Sequence, residues 1–286
     1  MRFWMIAAGA LCVAPAAGFA QTIKPAESNV VFGKSVETIP MAEWEVVQQG
    51  RAEQSGPRVL IAAGQTDVEK APANAARYES RTFKFPTGQI RVLRFKKGSG
   101  GVVHQITFET EIYVLKGSAT VDVAGKTTEL RAGDAVNLPG GILRSRPKAA
   151  EDTEIIAFTV GNAAKDPKAA VIRGKDVKSE EIKGGPKAGM GAAKVAVQRY
   201  NFDGNSIRVA KLKGPGQTAP ATPAGDVLIY LTSGRMKITV GDETKEVAAG
   251  DALREEAGKA THWDVLEPST FVATNAPSII TPAPKK

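Results

Sequence analysis

The sequence predicts an all-β protein in which one barrel-like domain occurs twice. Three observations lead to this prediction: blocks of sequence recur at one constant spacing, short runs of β-branched and apolar residues alternate with glycine turns, and amphipathic helical periodicity is nearly absent. Many short strands separated by glycine turns are typical of β-sandwiches and β-barrels.

The internal repeat consists of three pairs of segments, and the members of every pair are 117 positions apart. A constant spacing without gaps indicates a duplicated domain rather than chance similarity. The sequence therefore predicts two copies of one fold. The paired segments are IRVLRFKKGSG from Ile90 and IRVAKLKGPGQ from Ile207, IYVLKGSATVDV from Ile112 and IYLTSGRMKITV from Ile229, and ELRAGDAV from Glu129 and EVAAGDAL from Glu246.

Strands are predicted in the first copy at residues 90–95, 112–115, 119–123 and 127–130, where apolar residues alternate or cluster. The boundaries predicted from composition give a first barrel at 77–162 and a second at 195–276. Residues 163–194 are rich in Ala, Gly, Lys and Pro and predict a mostly irregular connector. An arm at 21–76 precedes the first barrel, and its segments 29–32 and 57–64 are candidates for strands added to a neighbouring sheet.

The first 20 residues are typical of a secretory signal peptide. Arg2 precedes an apolar run to Val13, and small residues lead to a cleavage site after Ala20. The alternative is an uncleaved anchor, but Pro15 interrupts the run before it could span a bilayer. Cleavage would also remove Cys12, the one cysteine of the chain. The sequence therefore predicts a cysteine-free protein of the periplasm or the extracellular space. The Pro-rich residues 277–286 predict a frayed tail.

Composition excludes several classes of protein. One cysteine excludes a disulfide framework, and two histidines cannot form a three-histidine metal site. No stretch after the leader is long and apolar enough for a transmembrane segment. The 38 Lys and Arg against 30 Asp and Glu give a charge of +8, but the basic residues are scattered and no nucleic-acid motif is present. We therefore expect no nucleic-acid partner.

The first copy, EIYVLKGSATVDV followed by ELRAGDAVNLPGG, resembles a cupin, and the whole chain resembles a secreted bicupin. The resemblance implies two double-stranded β-helix (jelly-roll) barrels in tandem. A skeleton of turn residues carries it, because cupin turns need positive φ or close backbone approach. These residues are Gly98, Gly117, Gly133, Pro139 and Gly141 in the first copy and Gly214, Gly234, Gly250 and Gly258 in the second, where Glu256 replaces the proline.

The cupin resemblance also implies where a metal site would lie, and the residues there depart from the family pattern. His104 matches the first histidine of the family motif, whereas Ile106 and Arg144 occupy the positions of the other two. Thr110 aligns with the metal-binding glutamate, although a shift of one residue would bring Glu111 there. We therefore expect no family-type metal and no cofactor in the first barrel.

The second barrel departs further from the family pattern. Ala221 and Pro223 occupy the paired histidine positions, and Val227 occupies the glutamate position. Thr261 aligns with the third histidine, and His262 would reach that position only after a shift of one residue. We expect this barrel to be structural or to support oligomerisation. A homodimer through barrel faces is compatible with the fold.

Arg144 supports our first functional hypothesis, which is binding of a small anionic organic ligand in the first barrel. A guanidinium cannot bind a cation, but it can bind a carboxylate through two parallel hydrogen bonds. His104 would be its polar companion, and Thr110 and Glu111 are further candidate ligand-binding residues. The alternative for Arg144 is an ion pair with Glu109 or Glu111 at the barrel mouth.

His104 supports an alternative hypothesis, a metal-independent isomerase, epimerase or lyase acting on a sugar acid. In the metal-free cupin epimerases that this chain loosely resembles, a histidine is the general base, a carboxylate orients it and a tyrosine supplies a proton. Glu111 and Tyr113 have the required side chains. Strand alternation, however, predicts that both face away from Thr110, so the triad assembles only if Thr110 faces outward. The alternative interpretation of His104 is a hydrogen-bonded core residue without a catalytic role.

Two further hypotheses complete the sequence reading. His262 and Trp263 follow a turn in the second copy and could form one wall of a pocket, with the indole as a stacking surface; the alternative is simple packing. A metal-dependent cupin enzyme is the third functional hypothesis. It would use His104 and Glu111 with unusual partners.

Overall fold

The computed structural model describes residues 28–42, 77–99, 103–105, 108–123, 126–140, 143–145, 147–161, 168–182 and 193–276. The predicted signal peptide, the predicted tail and most of the arm, including its segment 57–64, lie outside these residues. The described part is built of strands, with two single-turn 3₁₀ segments at Gly33–Ser35 and Gly174–Asp176. The all-β prediction is confirmed. No helix in this part could span a membrane.

Within the described residues, the first barrel pairs a seven-stranded sheet with a five-stranded sheet. All of its strand pairs are antiparallel, as expected for a jelly roll. The large sheet has the order β13-β9-β6-β12-β4-β3-β2, formed by β2 (Ile39–Ala42), β3 (Arg77–Phe85), β4 (Gly88–Phe95), β6 (Glu109–Lys116), β9 (Ala135–Leu138), β12 (Thr153–Val160) and β13 (Ala170–Ile172). The small sheet contains β5 (Val103–Gln105), β7 (Ser118–Val123), β8 (Lys126–Arg131), β10 (Leu143–Ser145) and β11 (Lys148–Ala149).

The second barrel repeats this plan, with a seven-stranded and a four-stranded sheet in the part of the chain that the structure describes. Its large sheet has the order β1-β21-β18-β23-β16-β15-β14, formed by β1 (Val30–Val31), β14 (Ser179–Ile182), β15 (Lys194–Asn201), β16 (Ser206–Lys213), β18 (Asp226–Ser233), β21 (Ala252–Glu255) and β23 (Ser269–Ala276). Its small sheet contains β17 (Gly216–Gln217), β19 (Arg235–Val240), β20 (Glu243–Ala248) and β22 (Thr261–Val265).

The two large sheets pack face to face, so their central strands are buried on both sides, whereas the edge strand β14 is exposed. On β6, Ile112 and Val114 belong to the core inside the first barrel, whereas Tyr113 belongs to a core shared by both barrels. This arrangement explains the unbroken apolar run at residues 112–115 of β6, because a strand with two buried faces does not need alternating polar residues.

Aromatic pairs mark the interface between the barrels with an approximate twofold symmetry. Tyr113 of the first barrel contacts Tyr200 of the second edge-on, with ring centroids 5.7 Å apart. Phe83 and Tyr230 form the corresponding pair at 5.7 Å, and each of these residues is 117 positions from its counterpart in the other pair. The Tyr200 hydroxyl donates to the carbonyl oxygen of Gly133 at 2.8 Å. The interface is therefore specific as well as apolar.

Two short strand–turn–strand arms connect the barrels to each other. In the first arm, β1 pairs with β21 of the second barrel, while β2 pairs with β3 of the first. In the second arm, β13 pairs with β9 of the first barrel, while β14 pairs with β15 of the second. The expectation that segment 29–32 adds a strand to a neighbouring sheet is thus confirmed.

A buried aspartate fastens each arm. The amide of Gly33 donates to Asp251 Oδ1 at 2.6 Å, and the amide of Gly174 donates to Asp134 Oδ1 at 2.9 Å. The two aspartates belong to the repeated AGDA segment. That motif therefore provides the attachment point for a crossing arm.

The prediction of an irregular connector is wrong for its described part, residues 168–182. This part contains β13, a 3₁₀ turn and β14. Its sequence GKDV at 174–177 repeats GKSV at 33–36. The spacing of this fourth repeat is 141 rather than 117 positions, because more residues follow the first arm than the second, and a search at one constant spacing does not find it.

Two repeated glycines occupy turns that leave no room for a side chain. Gly117 has φ +78°, and a Cβ there would lie 2.5 Å from the carbonyl oxygen of Asp152. Gly234 has φ +85°, and its Cβ would lie 2.4 Å from the carbonyl oxygen of Pro268. Both positions combine left-handed backbone with close contact, as the sequence predicted.

Candidate functional site

The structure brings His104 and Arg144 to directly opposed backbone positions. His104 lies on β5 and Arg144 on β10, and these antiparallel strands pair residue for residue, with Arg144 opposite His104. Directly opposed residues of an antiparallel pair lie on the same face of the sheet. The two residues that the sequence singled out therefore share one face of the small sheet.

The register of β10 also identifies that face. Arg144 is opposite Val123 of β7, and Val121, two residues earlier on β7, is fully buried in the core of the first barrel. Residues two apart on a strand lie on the same side of the sheet. The shared face of His104 and Arg144 is therefore the one that faces the barrel interior.

Thr110 and Arg91 lie on the interior side of the large sheet in the same barrel. Thr110 is buried and two residues from Ile112, which belongs to the interior core. Arg91 is half-buried on β4 and two residues from Leu93, another member of that core. Four positions that face the interior of the first barrel thus carry two guanidinium groups, an imidazole and a hydroxyl.

Glu111 does not join this group, so its sequence-based assignment to the first-barrel site is wrong. It alternates with Thr110 and faces the second barrel, where its Oε2 accepts a hydrogen bond from the hydroxyl of Thr274. Tyr113 lies on the same side, against Tyr200. The general-base triad of His104, Glu111 and Tyr113 is therefore not assembled, because strand alternation separates its members.

The environment of Glu111 is a buried polar cluster between the barrels. The side chain is 0% exposed, and Asn137, its opposite residue on β9, is also 0% exposed. Among the described residues, neither Glu111 Oε1 nor the side-chain amide of Asn137 has a hydrogen-bond partner. Burial, with a smaller effect of nearby Glu109, raises the pKa of Glu111 to about 8 against the opposing hydrogen bond from Thr274.

The donor set of the first barrel does not fit the metal that its fold family implies. Thr110 stands on the interior face where a carboxylate is needed, and both Glu109 and Glu111 face the second barrel. The register also places Arg144, a permanent cation, directly opposite His104. His104 is the one interior position among these with a side chain that can ligate a metal.

In the second barrel, Trp263 lies inside and His262 lies outside. Thr261, Trp263 and Val265 alternate inward on β22, and Trp263 stacks on Phe271 with ring centroids 5.2 Å apart. His262 is opposite Thr239, on the outer side of the small sheet. The idea that His262 replaces the missing third histidine is therefore wrong, and His262 and Trp263 do not share a pocket wall.

The mouth of the second barrel is formed by Arg208, Val227, Glu255, Thr261 and Asn275. Val227 lies between Asn275 and Glu255 in the sheet register. Arg208 Nη2 donates to Asn275 Oδ1 at 3.0 Å, and Trp263 Nε1 donates to Glu255 Oε1 at 2.9 Å. Burial raises the pKa of Glu255, against the Trp263 hydrogen bond and the Arg208 charge. Val227 occupies the position of the family's metal-binding glutamate, and its side chain has no atom that can ligate a metal.

Sequence reasoning missed the interior arginines, Arg91 and Arg208. They occupy the same position in the repeated IRV segment, 117 residues apart. Both lie between residues of the shared core on β4 and β16, so both face a barrel interior. A charged residue that recurs at an inward position of a repeated strand is the signal that could have identified them.

Comparisons with known proteins support the fold. No family model matches the chain, and no curated protein matches its sequence. Solved structures do match its shape. AerE from Microcystis aeruginosa aligns with a TM-score of 0.59 at 11% identity over 72% of this chain and 94% of AerE.

Oxalate decarboxylase is a second match. One structure of the enzyme aligns with a TM-score of 0.58 at 14% identity over 70% of this chain and 73% of the enzyme. The Bacillus subtilis enzyme at pH 4.6 aligns with a TM-score of 0.53 at 15% identity over 70% of this chain and 72% of the enzyme. The chain therefore has a cupin-type fold with two jelly-roll barrels in tandem.

Proposed function

We propose that this protein binds a small organic anion, a carboxylate or sugar acid, inside the first barrel through Arg144 and His104. The direct opposition of these residues on the interior side of paired strands carries the proposal. In this arrangement Arg144 provides two parallel hydrogen bonds to the carboxylate, and His104 provides a further donor. No metal is needed to hold the anion.

The charge of the barrel lining supports an anionic ligand. Arg91, His104, Thr110 and Arg144 occupy interior positions, and no strand residue described on that face carries a carboxylate. A concave site lined with one sign of charge attracts the opposite charge. The name oxalate decarboxylase attributes a small carboxylate to a protein of the same fold, which agrees with this ligand class.

Binding is favoured over metal-independent isomerase, epimerase or lyase chemistry. The carboxylate and the tyrosine that would complete a general-base site with His104 face the other barrel. An imidazole without an orienting carboxylate and a proton donor lacks two of the three parts of that mechanism.

We also propose that the protein is exported to the periplasm or the extracellular space, because residues 1–20 are typical of a signal peptide.

The direct test is calorimetric titration of the purified protein with oxalate, acetate and galacturonate at low salt. We expect Arg144→Met to weaken binding by about 2 to 5 kcal/mol if the guanidinium is desolvated around the anion. Arg235→Met, a change on the exposed face of β19, is the matched control. Equal affinities of wild type and Arg144→Met would refute the proposal.

Two further measurements separate the alternatives. Solvent deuterium incorporated into a bound sugar acid, and lost in His104→Ala, would establish an isomerase or lyase instead of a binding protein. Stoichiometric Fe, Mn, Ni, Cu or Zn that co-purifies with the protein and is lost in His104→Ala would establish a metal-dependent enzyme.

A further inference from the structure

Two arginines are directly opposed at the mouth of the second barrel. Arg199 on β15 pairs with Arg208 on β16 in the antiparallel register. Val197, two residues before Arg199, and Ala210, two residues after Arg208, both belong to the interior core of this barrel. Strand alternation therefore places both arginines on the interior side of the sheet, with Arg208 partly buried and Arg199 exposed at the rim.

The direct opposition of Arg199 and Arg208 costs free energy. Like charges at directly opposed positions of neighbouring strands repel each other. Burial lowers the pKa of Arg208, the charge of Glu255 opposes this lowering, and Arg199 adds a smaller lowering. Arg199 is only partly compensated, because its Nε lies 3.9 Å from the exposed carboxylate of Glu180. An anion between the two guanidinium groups would remove the repulsion.

Two buried hydrogen-bonding groups of the same barrel have no partner within the part of the chain that the structure describes. Among the described residues, Arg208 Nε is buried and has no hydrogen-bond partner. The same is true of the Oγ1 of Thr261, a residue that is 2% exposed and faces inward on β22. Buried polar groups in folded proteins are nearly always hydrogen-bonded, so an unpaired donor and an unpaired hydroxyl in one barrel indicate a missing partner.

Glu255 supplies the third type of group in this mouth. It is an acceptor held in place by the indole of Trp263. A simple anion would be repelled by this carboxylate, whereas a ligand that also carries a hydroxyl can donate to it. The mouth therefore offers cationic donors for a carboxylate and an acceptor for a neighbouring hydroxyl.

We propose that the mouth of the second barrel binds a small hydroxycarboxylate, with the carboxylate between Arg208 and Arg199 and the hydroxyl on Glu255 and Thr261. This site is independent of the one proposed in the first barrel. The repeat places Thr82 at the position of Arg199 and Leu138 at the position of Glu255 in the first copy. The first barrel therefore lacks both the opposed arginine and the acceptor.

The test uses the purified protein with glycolate as the smallest hydroxycarboxylate and acetate as its counterpart without the hydroxyl. The chain has three tryptophans, and the indole N–H of Trp263, assigned with Trp263→Phe, is a reporter beside Glu255. We expect glycolate to shift this resonance in ¹⁵N NMR spectra at constant ionic strength. Acetate should bind at least tenfold more weakly.

Four variants complete the experiment. Arg208→Met should weaken glycolate binding at least tenfold, and Arg199→Met at least threefold. Thr261→Val, which removes only the hydroxyl, should weaken glycolate but not acetate. If Arg208→Met does not fold, Arg208→Lys is used in its place. It keeps the charge and should also weaken glycolate binding. Arg235→Met on the exposed outer face is the control and should bind like wild type.

The outcomes distinguish this proposal from the first-barrel proposal. A Trp263 shift that persists in Arg144→Met and disappears in Arg208→Met supports a second site, whatever the first barrel does. Absence of any shift up to tens of millimolar glycolate overturns the proposal, and so does a shift that Arg208→Met leaves unchanged. Equal binding of acetate and glycolate overturns the assignment of the hydroxyl.

Discussion

The buried carboxylate of Glu111 makes the stability of the protein depend on pH in a direction opposite to that of most acidic residues. Its pKa rises from 4.5 to about 8 on folding, because the side chain is removed from water between the barrels. The folded state therefore holds a proton between these two pH values that the unfolded state releases. The free energy of unfolding should fall as pH rises through this window.

Glu111→Gln removes this dependence while keeping the shape of the side chain. Ionisation of Glu111 can lower the free energy of unfolding of the wild type by at most about 5 kcal/mol. This ceiling is about 1.4 kcal/mol per pH unit multiplied by the interval between the two pKa values. The amide can still accept from Thr274, and its NH₂ can donate to the unpaired side-chain oxygen of Asn137. We expect little stabilisation at pH 5 and roughly 2 to 3 kcal/mol at pH 7.

The assay is urea unfolding of wild type and variant at pH 5, 6, 7 and 8. Glu181→Gln, a change on the fully exposed strand β14, is the control and should be neutral at every pH. The reasoning is refuted if the stability difference between wild type and Glu111→Gln does not grow with pH. It is equally refuted if the variant is less stable than wild type at pH 8.

Three other predictions concern the scaffold and are measured by the same urea unfolding. Gly117→Ala should lower the free energy of unfolding by about 3 kcal/mol, because Gly117 has a left-handed backbone and its Cβ would contact a carbonyl oxygen. Gly98→Ala should lower it by only about 1 kcal/mol, because Gly98 has φ +84° but a Cβ there would meet open space. Asp251→Ala should lower the free energy of unfolding by about 2 to 4 kcal/mol, because two backbone amides lose their acceptor. The variant should also be cleaved faster in the first arm by limited proteolysis, and an unchanged cleavage rate would contradict the role of Asp251 in fastening that arm. Tyr200→Phe should cost about 1 kcal/mol through the lost hydrogen bond to Gly133, and a neutral result would show that this bond adds nothing to the interface.

Repeats and strand alternation made much of this architecture predictable. The constant spacing of 117 residues predicted two copies of a β-barrel, and the structure has two. Alternation along β6 predicted that Glu111 and Thr110 face opposite sides. The pairing of His104 with Arg144 on one face was not predictable from composition, because it depends on the register of two three-residue strands that are 40 positions apart at their first residues.

The remaining features depend on contacts between distant parts of the chain. The polar face of β6 is buried because Thr274 of the other barrel covers Glu111, and these residues are 163 positions apart. The arginine pair at the second mouth becomes visible only when β15 and β16 are placed in register. The sequence left Thr261 and His262 as alternatives for the third-histidine position, because a one-residue shift exchanges the two faces of a strand; only the pairing with Thr239 fixes which face His262 occupies.

The crossing arms have a consequence for the order of folding. β1 is near the start of the described chain, yet its partner β21 belongs to the last quarter, and Gly33 and Asp251 are 218 positions apart. The first arm therefore cannot dock until nearly the whole polypeptide is present, and the first barrel lacks β13 until the second arm has been made. Contacts of such high sequence separation slow folding and link its steps. Neither barrel should complete its sheets alone, so a nascent or truncated chain would keep exposed strand edges that only the full-length chain covers.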